Sequence, residues 1–216
     1  MTPDPAPTGA YWNAPATIAA FAALPPPDYL TALLARHRAP TPRTSLALDA
    51  GCGAGRNLPA LLAAGYRVLA ADLHPGMLDQ ARRHTQPGLA LIQADLARLP
   101  LRDQAASVIV CHGVLHNLPD HTLLVAALHE LRRVLAPGGV LSLNTFTADY
   151  LDPCLQDLGA DIYRLPNSQH MTLLDSGRLR ELLRHTGLSV QGTPAQYLRP
   201  GDPGQRSVWH ATLTHP

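Results

Sequence analysis

The chain of 216 residues predicts a three-layer α/β sandwich. Its centre is a mostly parallel seven-stranded sheet with an antiparallel hairpin at one edge and a helical cap before the first strand. Three observations predict this. Short apolar runs alternate with helix-length amphipathic patterns from Ser45 to Gly187, as in parallel strands joined by crossover helices. The first apolar run ends in Asp49 and breaks into Gly51, Gly53 and Gly55 before a helical pattern restarts, which is the strand–turn–helix of a small-molecule cradle. The last two apolar runs are joined by a Pro/Gly turn with no helix between them, so they pair antiparallel.

Length favours one domain over two. Residues 1–43 read as a disordered Pro-rich tail and a helical cap, and residues 44–216 as the main domain, with 147–171 an insertion that could act as a lid. Hydrophobic content of 46% supports a sizeable core, and the formal net charge of +1 shows no electrostatic commitment to nucleic acid or membrane. All 17 basic residues are arginine. Phosphate-binding lysines, Schiff bases and Tyr-x-x-x-Lys hydride sites are thereby excluded. Cys52, Cys111 and Cys154 are odd in number and scattered, which suits a reducing compartment and offers no zinc spacing. The N-terminus lacks the build of a signal peptide, and no apolar run approaches the roughly 20 residues of a membrane span. The expectation is a cytoplasmic protein.

The elements follow in order. A helical pattern from Tyr11 to Leu24 stops at Pro25-Pro26-Pro27. Asp28 is placed to cap a second helix, Tyr29 to Arg38, with Leu30, Leu33 and Leu34 on one face, and Pro40 and Pro42 end it. Strands are expected at 45–50, 67–71, 89–93, 107–111, 139–146, 188–198 and 206–214. Helices are expected at 57–64, 76–84, 120–135 and 173–186, the first ending at Gly65 and the last at Gly187. Residues 147–171 show no period.

In an open α/β sheet the ligand sits beyond the carboxyl ends of the strands. Those ends carry Asp49 to Gly55, Asp72, Asp95, and Cys111 to His116. Acids there can accept from hydroxyls and an amino group, or can cap the turns that follow them. The run Leu-Ala-Leu-Asp-Ala-Gly-Cys-Gly-Ala-Gly resembles the first motif of the class I S-adenosylmethionine-dependent methyltransferases. Asp72, 17 residues after Gly55, and Ala94-Asp95-Leu96 match the family's second and third strand ends. Ser107 to Leu118 and Leu131-Arg-Arg-Val-Leu-Ala-Pro-Gly-Gly-Val-Leu resemble its fourth strand and its turn into the fifth. The likeness covers residues 44–214 and implies a Rossmann-like fold with S-adenosyl-L-methionine as cofactor. Arg56-Asn57 resembles the tellurite-resistance branch of the family.

The resemblance implies roles for individual residues. Asp72 would hold the ribose hydroxyls and Asp95 the adenine amino group, between Leu73 and Leu96. Backbone groups of Ala50, Gly51 and Gly53 would meet the amino-acid end, with Asp49 ordering the loop. Cys111 and His112 would stand at the end of the fourth strand. Tyr11 and Trp12 either fold over the cofactor or pack as ordinary core. Phe146, Thr147, Asp149 and Tyr150 should face the acceptor, and Tyr163, Asn167, His170 and Met171 belong to the insertion. His112 and His116, four apart in a region expected to be helical, should share a face. His116 is the single catalytic candidate, a general base, with packing beneath the turn the favoured reading. A metal pair lacks a third ligand, so no metal is expected. Arg82-Arg83 and Arg132-Arg133 read as solvated helix faces.

The expected function is methyl transfer to a small-molecule acceptor by in-line displacement, with neither nucleic acid nor membrane as partner. A non-catalytic S-adenosylmethionine-binding protein is one alternative. An NAD(P)-dependent oxidoreductase is the other, disfavoured because Arg56 stands at the third glycine position of Gly-x-Gly-x-x-Gly. The acceptor and the oligomeric state are open at this point.

Overall fold

The computed structural model describes residues 8–41, 44–84, 86–201 and 203–215. The expected disorder of residues 1–7, the helix-ending role of Pro42 and the part of Asp202 in the last turn fall outside the described residues. Seven strands form the main sheet in the order β3-β2-β1-β4-β5-β10-β9. They are β1 (Leu46–Ala50), β2 (Arg67–Asp72), β3 (Leu89–Gln93), β4 (Ala106–His112), β5 (Leu135–Thr147), β9 (Ser189–Pro200) and β10 (Gln205–Thr214). The first five are parallel, and β10 and β9 run antiparallel at the edge. The order reverses between β1 and β4, so a crevice opens where their carboxyl ends diverge.

Central strands are buried on both faces, and their period of two divides the core. Leu48, Ile109, Leu141 and Trp209 point to one side, under α6 (His121–Val134) and α7 (Ser176–His185). Ala47, Val68, Val108 and Val110 point to the other, under α3 (Asp28–Arg36) and α4 (Leu58–Ala63). Asp120 caps α6 by accepting from Leu123 N–H at 2.8 Å, and Asp175 caps α7 by accepting from Arg178 N–H at 2.9 Å. That cap delays the start of α7 to Ser176, three residues beyond the start read from periodicity.

Several expectations change. The single N-terminal helix is two, α1 (Thr8–Trp12) and α2 (Pro15–Ala22), because Pro15 is tolerated only in the first turn of a helix. Asp28 does not cap α3; it is the first helical residue, behind Pro27, and no side chain caps this end. The insertion is not structureless: β6 (Gln156–Asp157), β7 (Ile162–Arg164) and β8 (His170–Thr172) make a separate antiparallel sheet. It is pinned to the main domain by Thr172 Oγ1, which donates to Leu118 O at 2.7 Å, and by the Arg178–Asp161 ion pair. Arg133 is only partly solvated: its guanidinium binds Glu130, Asp103 and the Leu99 and Leu101 carbonyls, fastening the segment before β4 to α6. No helix among the described residues is long and apolar enough to cross a membrane.

Leu128 on α6 is wholly buried against the sheet. Leu128→Ala should lower unfolding free energy by about 2–5 kcal/mol, through lost transfer energy and the cavity left behind. Urea unfolding monitored by circular dichroism checks this, and a loss below about 1 kcal/mol would show that the face repacks freely.

Candidate functional site

A cavity of about 920 Å³ opens beyond the carboxyl ends of β1, β2 and β4. The chain after β1 makes a tight turn in which Gly51, Gly53 and Gly55 all have positive φ, at +74°, +53° and +92°. The three glycines answer different demands. A Cβ on Gly51 would stand 2.2 Å from Val114 Cγ2, so this position is bare because the loop after β4 packs against it. A Cβ on Gly55 would meet His84 and Leu58 at 2.9 Å. Only Gly53 faces open space, and it lines the cavity. The turn is held by Asp72 at the end of β2, whose Oδ2 accepts from Gly53 N–H at 2.8 Å while Oδ1 accepts from His74 N–H at 2.9 Å.

Of the residues singled out from sequence, Tyr11, Trp12, Gly51, Gly53, Asp72, Leu73, Asp95, Leu96, His112 and His116 line this one cavity. Leu73 is 53% exposed and Leu96 is buried. Asp95 also serves its own turn, accepting from Ala97 N–H at 2.9 Å. Asp49, Ala50 and Cys111 do not reach the surface of the cavity. Cys111 points into the core beneath α6, and burial holds its thiol protonated. Asp49 lies fully buried below the turn, where Asn57 Nδ2 donates to its Oδ1 at 3.2 Å and its Oδ2 has no partner among the described residues.

The N-terminal helices close one wall. Asn13 Oδ1 accepts from Gly76 N–H at 2.9 Å at the start of α5 (Pro75–Ala81), and Trp12 stacks on His74 with ring centroids 6.2 Å apart. Tyr11, Trp12, Phe21 and Leu24 thereby face the cavity. Leu165, Asn167, Gln169 and Met171 reach it from the small sheet opposite.

The two histidines do not share a helical face. His112 is the last residue of β4, and His116 lies in a short 3-10 turn at Leu115–Asn117. His112 Nε2 is 2.8 Å from Ser142 Oγ, and burial pushes its pKa well below the ordinary value. His116 is locked from behind. Phe146 N–H donates to its Nδ1 at 3.1 Å, Thr145 Oγ1 lies 3.2 Å from the same atom, and the Phe146 ring stacks on it at 4.0 Å. A backbone N–H can only donate, so Nδ1 is the acceptor and the neutral ring carries its proton on Nε2. Burial, then the charges of Arg199 and Arg206, lower its pKa to about 3.

Phe146 lines the cavity, whereas Thr147, Asp149 and Tyr150, expected beside it, do not. β5 runs on through Thr147, which bonds Ser207 across to β10, and Asp149 accepts from Ser176 N–H and Oγ at the start of α7. Sequence reasoning gave Asn57 no role in the site and passed over Asn144, Arg199 and Arg206, all of which line the cavity. No group of three potential metal ligands occurs among the described residues.

Comparison with known proteins bears on this geometry. A family model described as a methyltransferase domain matches residues 48–143. A malonyl-[acyl-carrier protein] O-methyltransferase of Serratia marcescens is 38% identical over 124 residues, 57% of this chain and 46% of that protein. The chain thus spans less than half the length of this relative. The uncharacterized methyltransferase YodH of Bacillus subtilis is 32% identical over 168 residues, 76% of this chain and 67% of that protein. Among solved structures, the 1,6-didemethyltoxoflavin-N1-methyltransferase of Burkholderia thailandensis, with 1,6-didemethyltoxoflavin and S-adenosylhomocysteine bound, matches with a TM-score of 0.62. It is 22% identical, with 87% of this chain and 76% of that one covered, a likeness of fold.

The buried acid beneath the turn has a measurable signature. Burial raises the Asp49 carboxyl to about 7, against smaller opposing effects of the Asn57 hydrogen bond and Arg56. Between roughly pH 4 and 7 the folded chain therefore holds a proton that the unfolded chain releases, so this group's contribution to stability falls as pH rises. Asp49→Asn removes the titration. The melting temperature of the variant minus that of the parent, both without cofactor, should climb from pH 4 to 7 and level off above; a difference flat with pH would show that Asp49 ionises normally.

Proposed function

The chain belongs to the class I S-adenosylmethionine-dependent methyltransferases, and on that footing we propose that it transfers the methyl group by in-line displacement to a small organic acceptor seated in the 920 Å³ cavity. The observation that carries the reading is the division of the lining. The glycine turn, Asp72 and Asp95 stand on one side; His116, Phe146 and Met171 stand on the other.

The residues present fit the cofactor. Gly53 offers bare backbone where a side chain would fill the cradle. Each oxygen of Asp72 uses one lone pair on a backbone N–H and keeps another for a ribose hydroxyl. Asp95 Oδ1 serves the Ala97 N–H, and its second oxygen suits an amino group. Leu73 and Leu96 supply apolar surface on either side of an adenine, and Tyr11 and Trp12 cover it from the cap. Asp49 acts indirectly, by fixing Asn57 below the turn. Bound there, S-adenosylmethionine supplies a methyl group on a sulfonium, a leaving group that needs no activation by the protein.

What the chain must add is alignment and exclusion of water, and alignment alone is worth up to roughly 7–11 kcal/mol of barrier. The aromatic cap and the small sheet with Leu165 and Met171 form the walls that keep water out. In this reading His116 is not a base. Its Nδ1 lone pair is taken by the Phe146 N–H, and Nε2 bears the proton, so the ring holds and orients an acceptor by donating. The names of two similar proteins, which specify malonyl-[acyl-carrier protein] and 1,6-didemethyltoxoflavin, support an organic acceptor.

Asp72→Ala should weaken S-adenosylmethionine binding by about 1.5–3 kcal/mol, the worth of hydrogen bonds to a charged group. Calorimetry on a variant whose melt confirms folding checks this, and unchanged affinity would move the ribose elsewhere. The parent protein should show a thermal shift with S-adenosylmethionine and none with NAD(P); stabilisation by NAD(P) alone would overturn the functional reading.

A further inference from the structure

Charge is divided unevenly around the cavity. Its carboxylates, Asp72 and Asp95, lie at the ends of β2 and just beyond β3. The side reached from β10 and β9 presents Arg199 and Arg206, with Arg56 close enough to act on Arg199 electrostatically. Among the described residues no ion pair joins these three arginines to a carboxylate; the salt bridges go to Arg82, Arg133 and Arg178. Arg206 is the extreme case. It is only 5% exposed, donates to its neighbour's Gln205 O at 2.7 Å, and otherwise lies 3.9 Å from the Cys154 sulfur, while the Asp152 carboxylate feels its charge from beyond ion-pair distance. A buried guanidinium is normally matched by a carboxylate, because leaving the charge uncompensated is costly. Arg199 lies over the Phe146 ring at 4.9 Å, which occupies its face and leaves its edge N–H groups for an oxyanion.

The neutral groups on this side agree. His116 Nε2–H has no acceptor among the described residues, and Gln169 Nε2 is a buried donor without one. All three groups line the same cavity, and the charges of both arginines act on His116. Phe146, Met171 and Leu165 line it with apolar surface.

We propose that the methyl acceptor is an organic carboxylate with an apolar body, its carboxylate clamped by Arg206 and Arg199 and oriented by His116 Nε2–H. The proposal rests on the assignment of the Asp72 side to the cofactor. Its chemistry balances without a base. The carboxylate oxygen gives a lone pair to the methyl carbon as the carbon–sulfur bond breaks, and that bonding pair stays with sulfur. An anion and a sulfonium cation become a neutral methyl ester and a neutral thioether, and no proton moves. A protein that offers donors and no free basic lone pair on His116 is built for such a nucleophile.

The test uses the full chain loaded with S-adenosylhomocysteine, titrated calorimetrically with decanoate, suberate and citrate, and with decanol and decylamine as uncharged and cationic controls. The same panel is offered with methyl-labelled S-adenosylmethionine, and product is treated with mild alkali. Binding of at least one carboxylate, with label released as methanol, is the expected result. Arg206→Gln should reduce kcat/KM for that carboxylate by about 30-fold or more with cofactor affinity unchanged. Arg199→Gln, at an exposed position on the edge strand, should do so in the same direction, and Arg206→Lys should recover part of the loss. Carboxylates that neither bind nor accept methyl, or label transferred only to the controls, overturn the proposal while the cofactor reading stands. Failure of S-adenosylhomocysteine to bind overturns the cofactor reading and this proposal together.

Discussion

The hydrogen bond from Gly53 N–H to the Asp72 carboxylate is the tie on which the ligand-facing end of the sheet depends. It joins the turn after β1 to the end of β2, across strands already paired in parallel register. The turn it closes is left-handed at every second residue, a conformation that side chains resist. Around it the sheet gathers everything else: Asn57 and Asp49 beneath, the loop with Val114 against Gly51, and α5 with the N-terminal cap beside His74. The alternate glycines are thus two packing glycines flanking one that leaves space for a ligand.

The other half of the cavity is organised by a second constraint, the capture of His116 Nδ1 by the Phe146 N–H. That bond decides the tautomer, and the tautomer decides the chemistry. Stacking on Phe146 holds the ring on one side, and Arg199 covers the Phe146 ring in turn. An imidazole whose pKa sits near 3 stays neutral across the physiological range, so its contribution there does not vary with pH. The two halves share a cavity but differ in kind: acceptors where hydroxyls and an amino group would lie, donors where an anion would lie.

Much of this was legible in residue order. Strand positions came within one residue at each end for β1 to β4 because buried parallel strands are dense in Val, Leu, Ile and Ala and give way to Asp or Gly within a few residues. The small sheet was not legible, since strands of two or three residues contain too little period to register. Arg199 and Arg206 were missed for a related reason. They sit on the edge hairpin, where alternating polar residues read as a solvated face, and only the fold of β10 against β5 turns Arg206 inward. Arg133 misled in the same way: a basic pair near a helix end looks solvated until the segment before β4 packs beside it. Asp149 was expected at the acceptor because it follows a strand end, yet that strand runs further than its apolar stretch and delivers the acid to α7.

Sequence alone determined the order of the main-sheet strands and the helices between them, the antiparallel edge, the glycine turn and the acids at the strand ends, because each is written in local spacing that the backbone must obey. It pointed to the cofactor through a resemblance to one family carried by five motifs in register, while the lack of lysine removed competing chemistries. Tertiary structure decided the rest. Which glycine faces a ligand, which nitrogen of His116 carries the proton and which arginines stand without an ion pair all depend on groups 30 to 60 or more residues apart meeting across the sheet. Hydrogen-bond direction and burial are properties of such meetings, and no pattern along the chain encodes them.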